Sequence, residues 1–185
     1  MSYIWPKSLP RRILNLVVLA LIATVASLLV LSGRGVRMAA DTVVSLSPDQ
    51  TWEFFRDPGN LAKWDRSVAR VEPTTSAPMG VGYTFDTIGL APEAKRSSYR
   101  VTEFTPKRSA RTALVNSDTF QRASWYTRLE PADGGTRIVI EVEFAPKLQY
   151  FFLMPVLFLS RNNLETDMRY LHDEIEAYGR GQTHR

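Results

Sequence analysis

The run Ile13–Ser32 (ILNLVVLALIATVASLLVLS) carries no charge over 20 residues, and Asn15 is its one amide. At about 1.5 Å of rise per residue, a helix of this length extends about 30 Å, the thickness of a bilayer's hydrocarbon core. A buried core helix normally keeps a polar stripe, whereas this run is apolar all round. Lys7, Arg11 and Arg12 precede it, Arg34 and Arg37 follow it, and Tyr3 and Trp5 stand where interfacial aromatics are expected. A cleaved signal peptide has a shorter apolar region, about 7–15 residues, that ends in a small-x-small site. Here the nearest candidate, Gly33-Arg34-Gly35, is a poor one. The expectation is an uncleaved single-pass anchor, with a core helix and a signal peptide as rivals. The N-terminal flank has three Lys/Arg and the amino group against two Lys/Arg on the other side. That margin predicts a cytoplasmic N-terminus and an extracytoplasmic domain.

The anchor changes the meaning of the charge. The 185-residue chain has a formal charge of +4, from 23 basic and 19 acidic residues. Five of the basic residues flank the apolar run, and no acidic residue precedes Met38. Residues 38–185 therefore hold 18 basic against 19 acidic side chains, a net charge of −1. Arg108 and Arg111 stand on opposite faces of their strand, so no basic stripe develops and no nucleic-acid partner is expected. The chain has no cysteine, which excludes disulfides, thiol nucleophiles and cysteine-ligated metals. The sequence divides into a tail and anchor (1–37, span 13–32), a folded domain (38–179) and a polar tail (180–185) that holds His184.

The domain opens on a strand, Arg37–Leu46, that ends at Ser47-Pro48, a helix N-cap followed by a proline at the first helical position. The helix beginning there should carry Thr51, Trp52 and Phe55 on one face and stop at Asp57-Pro58-Gly59. A second short helix, Asn60–Ser67, places Leu61, Trp64 and Val68 together, with Trp64 read as a core tryptophan. Six strands follow at hairpin spacing: Ala69–Thr75, Gly82–Ile88, Ala94–Thr105, Arg108–Asn116, Thr119–Glu130 and Thr136–Ala145. Ile138, Ile140, Val142 and Phe144 share one face of the last strand. A loop Ala132–Gly135 sets Leu129 opposite Ile138 and Thr127 opposite Ile140, which joins the apolar faces. Arg128 and Glu141 become diagonal neighbours on the outer face. Beyond Pro155 the period turns helical: Leu164, Met168, Leu171, Ile175 and Tyr178 form a stripe that should end before Gly179. The fold class is α+β, a seven-stranded curved antiparallel sheet gripping a long C-terminal helix, with two short helices after strand one and an N-terminal transmembrane helix.

Several stretches carry a family resemblance over Met38–Tyr178. Ser47–Phe55 (SPDQTWEFF) and Asn60–Asp65 (NLAKWD) resemble the first two helices of the START-like helix-grip superfamily. Gly80–Tyr83 (GVGY), Tyr99–Pro106 (YRVTEFTP) and Asp133–Arg137 (DGGTR) are similar to its turn and strand landmarks. That superfamily, also called SRPBCC, holds polyketide cyclases and dehydratases, lipid-transfer domains and pollen-allergen-type ligand carriers. The resemblance implies a ligand cavity between sheet and helix.

Reactive groups are few. His172 stands at the edge of the apolar helix face, either as a general base at the cavity wall or as a boundary histidine on a solvated shoulder. Glu103 shares strand parity with Tyr99 and Val101. It faces inward as a catalytic acid with a raised pKa, unless the alternation breaks near Pro106. Glu141, Glu143, Asp173, Glu174 and Glu176 point outward. No metal-ligand spacing and no phosphate loop appears, so neither a metal nor another cofactor is expected. The expected cavity wall is Tyr83, Phe85, Tyr99, Val101, Thr112, Leu114, Trp125, Thr127, Ile138 and Ile140, faced by Met168, Leu171 and Ile175 of the helix. Its apolar surface with a few hydroxyls suits a hydrophobic ligand, and it equally suits a filled core. Leu148–Ser160 (LQYFFLMPVLFLS) is too short to span a bilayer. It either begins the final helix and closes the pocket's mouth or presents Tyr150–Met154, Leu157 and Phe158 to lipid as a lip.

The expected function is a membrane-anchored binding domain for a hydrophobic small molecule or lipid. The alternatives are a cyclase- or dehydratase-type enzyme acting on a polyketide-like compound, and a scaffold with a vestigial cavity. An inward carboxylate or histidine beside a solvent-connected cavity favours the enzyme, and a filled core favours the scaffold.

Overall fold

The computed structural model describes residues 11–90, 92 and 94–183. Tyr3, Trp5, Lys7 and His184 lie outside the described residues. Helix α1 (Arg11–Arg34) leads into β1 (Val36–Val44), followed by α2 (Pro48–Arg56), a 3₁₀ turn (Pro58–Asn60) and α3 (Leu61–Trp64). Six strands come next: β2 (Val68–Pro73), β3 (Thr84–Gly89), β4 (Arg96–Thr105), β5 (Ser109–Leu114), β6 (Phe120–Ala132) and β7 (Gly135–Pro146). A 3₁₀ segment (Leu148–Leu153), α4 (Met154–Leu159) and α5 (Arg161–Thr183) complete the chain. The strands form one antiparallel sheet in the order β1-β7-β6-β5-β4-β3-β2.

The start of α2 follows from its sequence. The Ser47 side chain accepts the Gln50 amide, the Gln50 side chain accepts the Ser47 amide, and Pro48 occupies the first turn. Helix α2 buries Thr51, Trp52 and Phe54, so Phe54 rather than Phe55 is its deepest ring. Helix α3 is shorter than expected. It ends at Trp64 because Asp65 turns the chain, its Oδ1 accepting Ser67 N at 2.9 Å and Ser67 Oγ at 2.6 Å. In the β6–β7 hairpin Leu129 pairs with Ile138 and Thr127 with Ile140, as the apolar pattern requires. The connection is tighter than a four-residue loop, since Ala132 pairs with Gly135 and Gly134 turns the chain at φ +81°. Arg128 reaches Glu130 at 2.7 Å rather than Glu141.

Register shifts interrupt the ladders in β2, β4 and β6. Each extra residue bends its strand, and the sheet curves around α5. The largest core cluster joins Ile138, Ile140 and Val142 of β7 with Met168, Leu171 and Ile175 of α5, and with Trp52, Phe54 and Trp64. Burying each such aliphatic side chain contributes about 1.5–3 kcal/mol. Helix α5 does not stop before Gly179 but runs to Thr183. The glycine serves contact here, because a Cβ at residue 179 would lie 2.5 Å from Leu46 Cδ1.

The core-helix rival for α1 is overturned. Its apolar window, mean hydropathy 2.7, has no buried residue, and Leu16, Leu19 and Leu21 are all more than half exposed. Only its last turns touch the domain. Leu28 and Leu31 pack against the cluster of Val36, Met154 and Leu157, and Ser32 is buried with its Oγ donating to Pro146 O at 3.3 Å.

Glu176 fixes α5 to the loop after β1. Its carboxylate accepts Ser45 N at 2.5 Å and Ser45 Oγ at 2.6 Å, and these bonds hold its pKa below the ordinary value. A depressed carboxylate pKa stabilises the fold above the ordinary value, and that contribution is lost as pH falls through the folded-state value. Glu176→Ala is expected to cost about 1 kcal/mol at neutral pH, given the solvent exposure of the pair. The difference from wild type should vanish in acid, as read by thermal unfolding in detergent across pH.

Candidate functional site

The sheet curves away from α5 at its β3–β5 side, and a cavity of about 360 Å³ remains there. Helices α2, α3 and α5 roof it with Trp52, Phe54, Phe55, Leu61, Trp64 and Leu164. The sheet floors it with Phe85, Tyr99, Ala110, Thr112, Trp125, Thr127 and Ile140. Polar groups collect on part of the wall: Asn60, Asp65, Ser67, Thr87, Lys95, Ser97 and Asp167. A second cavity of about 400 Å³ shares Lys95, Ser97, Tyr99 and Trp125 with the first and extends to Leu114, Asn116, Phe120 and Phe144.

Aromatic rings carry one wall across both cavities. Phe85 stacks on Tyr99 at 5.5 Å, Tyr99 meets Trp125 edge-on at 5.3 Å, Trp125 meets Phe144 at 5.4 Å, and Phe144 meets Phe120 at 5.5 Å. Such offset and edge contacts hold ring positions that a flexible aliphatic wall would not. Burial pushes the Tyr99 phenol up, and the Asp65 carboxylate adds to this against hydrogen bonds from Thr87 and Ser97. The phenol therefore stays protonated as a hydrogen-bonding handle on the wall.

Of the sequence-predicted wall, Phe85, Tyr99, Thr112, Trp125, Thr127 and Ile140 line the first cavity, and Leu114 lines the second. The others fill space. Tyr83 and Val101 belong to a separate packed cluster with Phe85, and Ile138, Met168, Leu171 and Ile175 are buried in the main core. Glu103 stands outside the cavity. The extra residue Thr102 in β4 sets Glu103 opposite Arg111, so Glu103 points to solvent and accepts Arg111 Nε at 2.8 Å. Phe104 takes the inward direction instead and meets Trp52 at 5.3 Å. His172 lies on the shoulder of α5, its side chain 41% exposed and its Nδ1 3.1 Å from Asp173 Oδ1, and it lines neither cavity. Trp64 is buried as expected and also faces the cavity.

Asp167 is the inward carboxylate that sequence reasoning missed. Its side chain is 21% exposed at the α5 wall, and its nearest cation, Arg66, is 3.6 Å away. Burial pushes its pKa up, and the Asp65 carboxylate adds to the effect against Arg66. The signal was present, since Asp167 falls three residues after Leu164 and four before Leu171, on the apolar face. When protonated, this carboxyl offers an O–H to a ligand carbonyl or hydroxyl in the cavity. Among the described residues no group of His, Cys, Asp or Glu is arranged to hold a metal ion.

The chain belongs to the polyketide cyclase / dehydrase and lipid transport family, whose model matches residues 36–176. No curated protein matches it. Among solved structures it is similar to TTHA0849 from Thermus thermophilus at 19% identity and a TM-score of 0.62, covering 77% of this chain and 98% of that one. It is also similar to the Zhui aromatase/cyclase from Streptomyces sp. R1128, at 16% identity and a TM-score of 0.62 over 77% and 94% of the two chains. The di-domain ARO/CYC StfQ of the steffimycin biosynthetic pathway aligns at 10% identity and a TM-score of 0.65, over 82% of this chain and 52% of that one. At these identities the likeness establishes the fold.

Because the folded state favours protonated Asp167, ionising it costs stability as pH rises from the ordinary carboxylate value through the raised one. Asp167→Asn, neutral at every pH, is expected to melt above wild type at neutral pH. The gap should close below the ordinary carboxylate range, as followed by circular dichroism in detergent.

Proposed function

We propose that this protein is a single-pass, membrane-anchored domain that binds a hydrophobic small molecule or lipid in its sheet–helix cavity. The observation that carries the reading is a cavity of about 360 Å³ walled by aromatic rings, with hydroxyl, amide and carboxyl groups on part of its lining. Apolar walls supply affinity by removing ligand surface from water, and a few polar groups fix its orientation. Family membership over residues 36–176 supports the same class of ligand.

An uncleaved anchor, rather than a signal sequence, is supported by the way α1 ends. Ser32 is buried against Pro146, and Gly35, at φ +78°, places its Cα where a Cβ would lie 2.7 Å from Phe144 O. Cleavage in the Gly33–Gly35 stretch would remove packing that β1 and α4 use. The flanking charges favour a cytoplasmic N-terminus and an extracytoplasmic domain. Alkaline phosphatase fused after Arg185 is then expected to be active. A fluorescent cytoplasmic reporter at the same position, with no phosphatase activity, would reverse the orientation.

Asp167 supports a second reading, an enzyme of the cyclase or dehydratase type. In it this carboxyl gives its proton to a carbonyl oxygen, or to a hydroxyl oxygen that leaves as water, and the carboxylate so formed takes up the proton lost from the adjacent carbon. Native mass spectrometry of the full chain released from nanodiscs, followed by organic extraction, separates the readings. The binding domain carries an apolar ligand that is the same in wild type and Asp167→Asn. A dehydratase leaves a ligand one water heavier in the variant, and a cyclase that closes a ring without losing water leaves one of equal mass but different chromatographic retention. Ala110→Trp, which places an indole inside the cavity, is expected to remove most of the bound ligand while the melting temperature falls by only a few degrees. Unchanged ligand occupancy in this variant would count against the cavity as the binding site.

A further inference from the structure

Leu148–Leu159 forms neither the start of α5 nor a lid. Its 3₁₀ segment and α4 are separate elements, α5 begins at Arg161, and no residue of the segment lines either cavity. Its side chains divide into two sets. Met154 and Leu157 are buried, packed with Val36 against Leu28 and Leu31 of α1 and against Phe120 and Phe144 of the sheet. Leu148, Phe152, Val156, Phe158 and Leu159 are each more than half exposed.

From this division we propose that Leu148–Leu159 is seated in the interfacial layer of the bilayer that α1 spans. The inference rests on the reading of α1 as a membrane span. Leu28 and Leu31 precede Ser32 by four residues and one, so they lie about 6 Å and about 1.5 Å along the helix from the end of the apolar run. Met154 and Leu157 touch them and are therefore held at the depth where the span leaves the hydrocarbon. Interfacial helices place their apolar face about 5–10 Å into the headgroup–acyl boundary. The exposed side chains of α4, on a helix fixed at that depth, have lipid as their nearest apolar phase.

The junction leaves little freedom to swing away. One residue, Gly35, separates α1 from β1, its N–H donates to Leu31 O at 2.9 Å, and Ser32 is bonded to Pro146. The segment carries no charged residue, Lys147 and Arg161 bracket it, and Arg34 and Arg37 stand at the end of the span. Arg37 pairs with Glu143 at 3.3 Å and Arg161 with Glu165 at 3.2 Å, and cations near the end of a span suit phosphate headgroups. Phe120 and Phe144, beneath Met154 and Leu157, also line the second cavity, so the seated segment and that cavity share one wall.

The absence of cysteine allows a direct test on the full chain. Phe152→Cys, Leu159→Cys, Leu19→Cys and Val81→Cys are each labelled with an environment-sensitive fluorophore and reconstituted into phosphatidylcholine–phosphatidylglycerol vesicles. All four positions are exposed, so none removes core packing. Labels at 152 and 159 are expected to emit blue-shifted light and lose intensity to lipids carrying a nitroxide near the headgroup. The label at 19 should respond to nitroxides deep in the acyl chains, and the label at 81 only to aqueous iodide. If 152 and 159 behave like 81 while 19 is lipid-quenched, the seating is wrong and the span stands. If 19 is also reached by iodide, the span fails and the seating with it. Blue-shifted labels at 152 and 159 that neither quencher reaches would mean that protein covers the face, which also overturns the proposal.

Discussion

The grip of the curved sheet on α5 is the interaction on which the rest of the molecule depends. Ile138, Ile140 and Val142 project from β7 onto Met168, Leu171 and Ile175, and all six are buried. Contact is complete on the β7 side and incomplete toward β3, where residues of β3, β4 and β5 face α2, α3 and α5 across open space. The cavity is that space. It persists because rigid rings occupy its wall, and aromatic side chains held edge-to-face cannot collapse into it as aliphatic ones would.

Inside this space the electrostatics are asymmetric. Most ion pairs lie on the outer surface, where solvent screens them, such as Arg111 with Glu103 and Arg137 with Asp41. Asp65 and Asp167 instead share a half-buried wall, where burial and then the Asp65 carboxylate disfavour ionisation of Asp167 and Arg66 only partly offsets this. Together with the Tyr99 phenol they give a hydrophobic chamber a small polar end. Such a chamber orients a ligand that has one oxygen-bearing end and an apolar body.

The β1–β7 edge also carries α1, on the sheet face that holds α5 but at the other end of the strands, where Val36 pairs with Phe144. Helix α1 is not a tether on a loose linker, since its last two turns are packed into the domain through Leu28, Leu31 and Ser32. Packed in this way, α1 has a fixed placement on the domain rather than a free one.

The apolar run Ile13–Ser32, the cap at Ser47, the β6–β7 register and the α5 stripe were all determined by sequence alone, because each follows from a local period or a local hydrogen bond. The wall residues Phe85, Tyr99, Thr112, Trp125, Thr127 and Ile140 were legible from strand alternation for the same reason. Tertiary structure decided what depends on two elements at once. One extra residue in β4 turned Glu103 outward and Phe104 inward, and alternation within a single strand does not encode where its partner slips. Gly179 reads as a helix stop until Leu46 is seen against it. Whether buried residues fill space or enclose it depends on the curvature of the whole sheet, which separated Ile138 and Leu171 from Ile140 and Trp125. Asp167 became a group of the site only once the packing of α5 against α3 and the sheet half-buried it at the cavity wall.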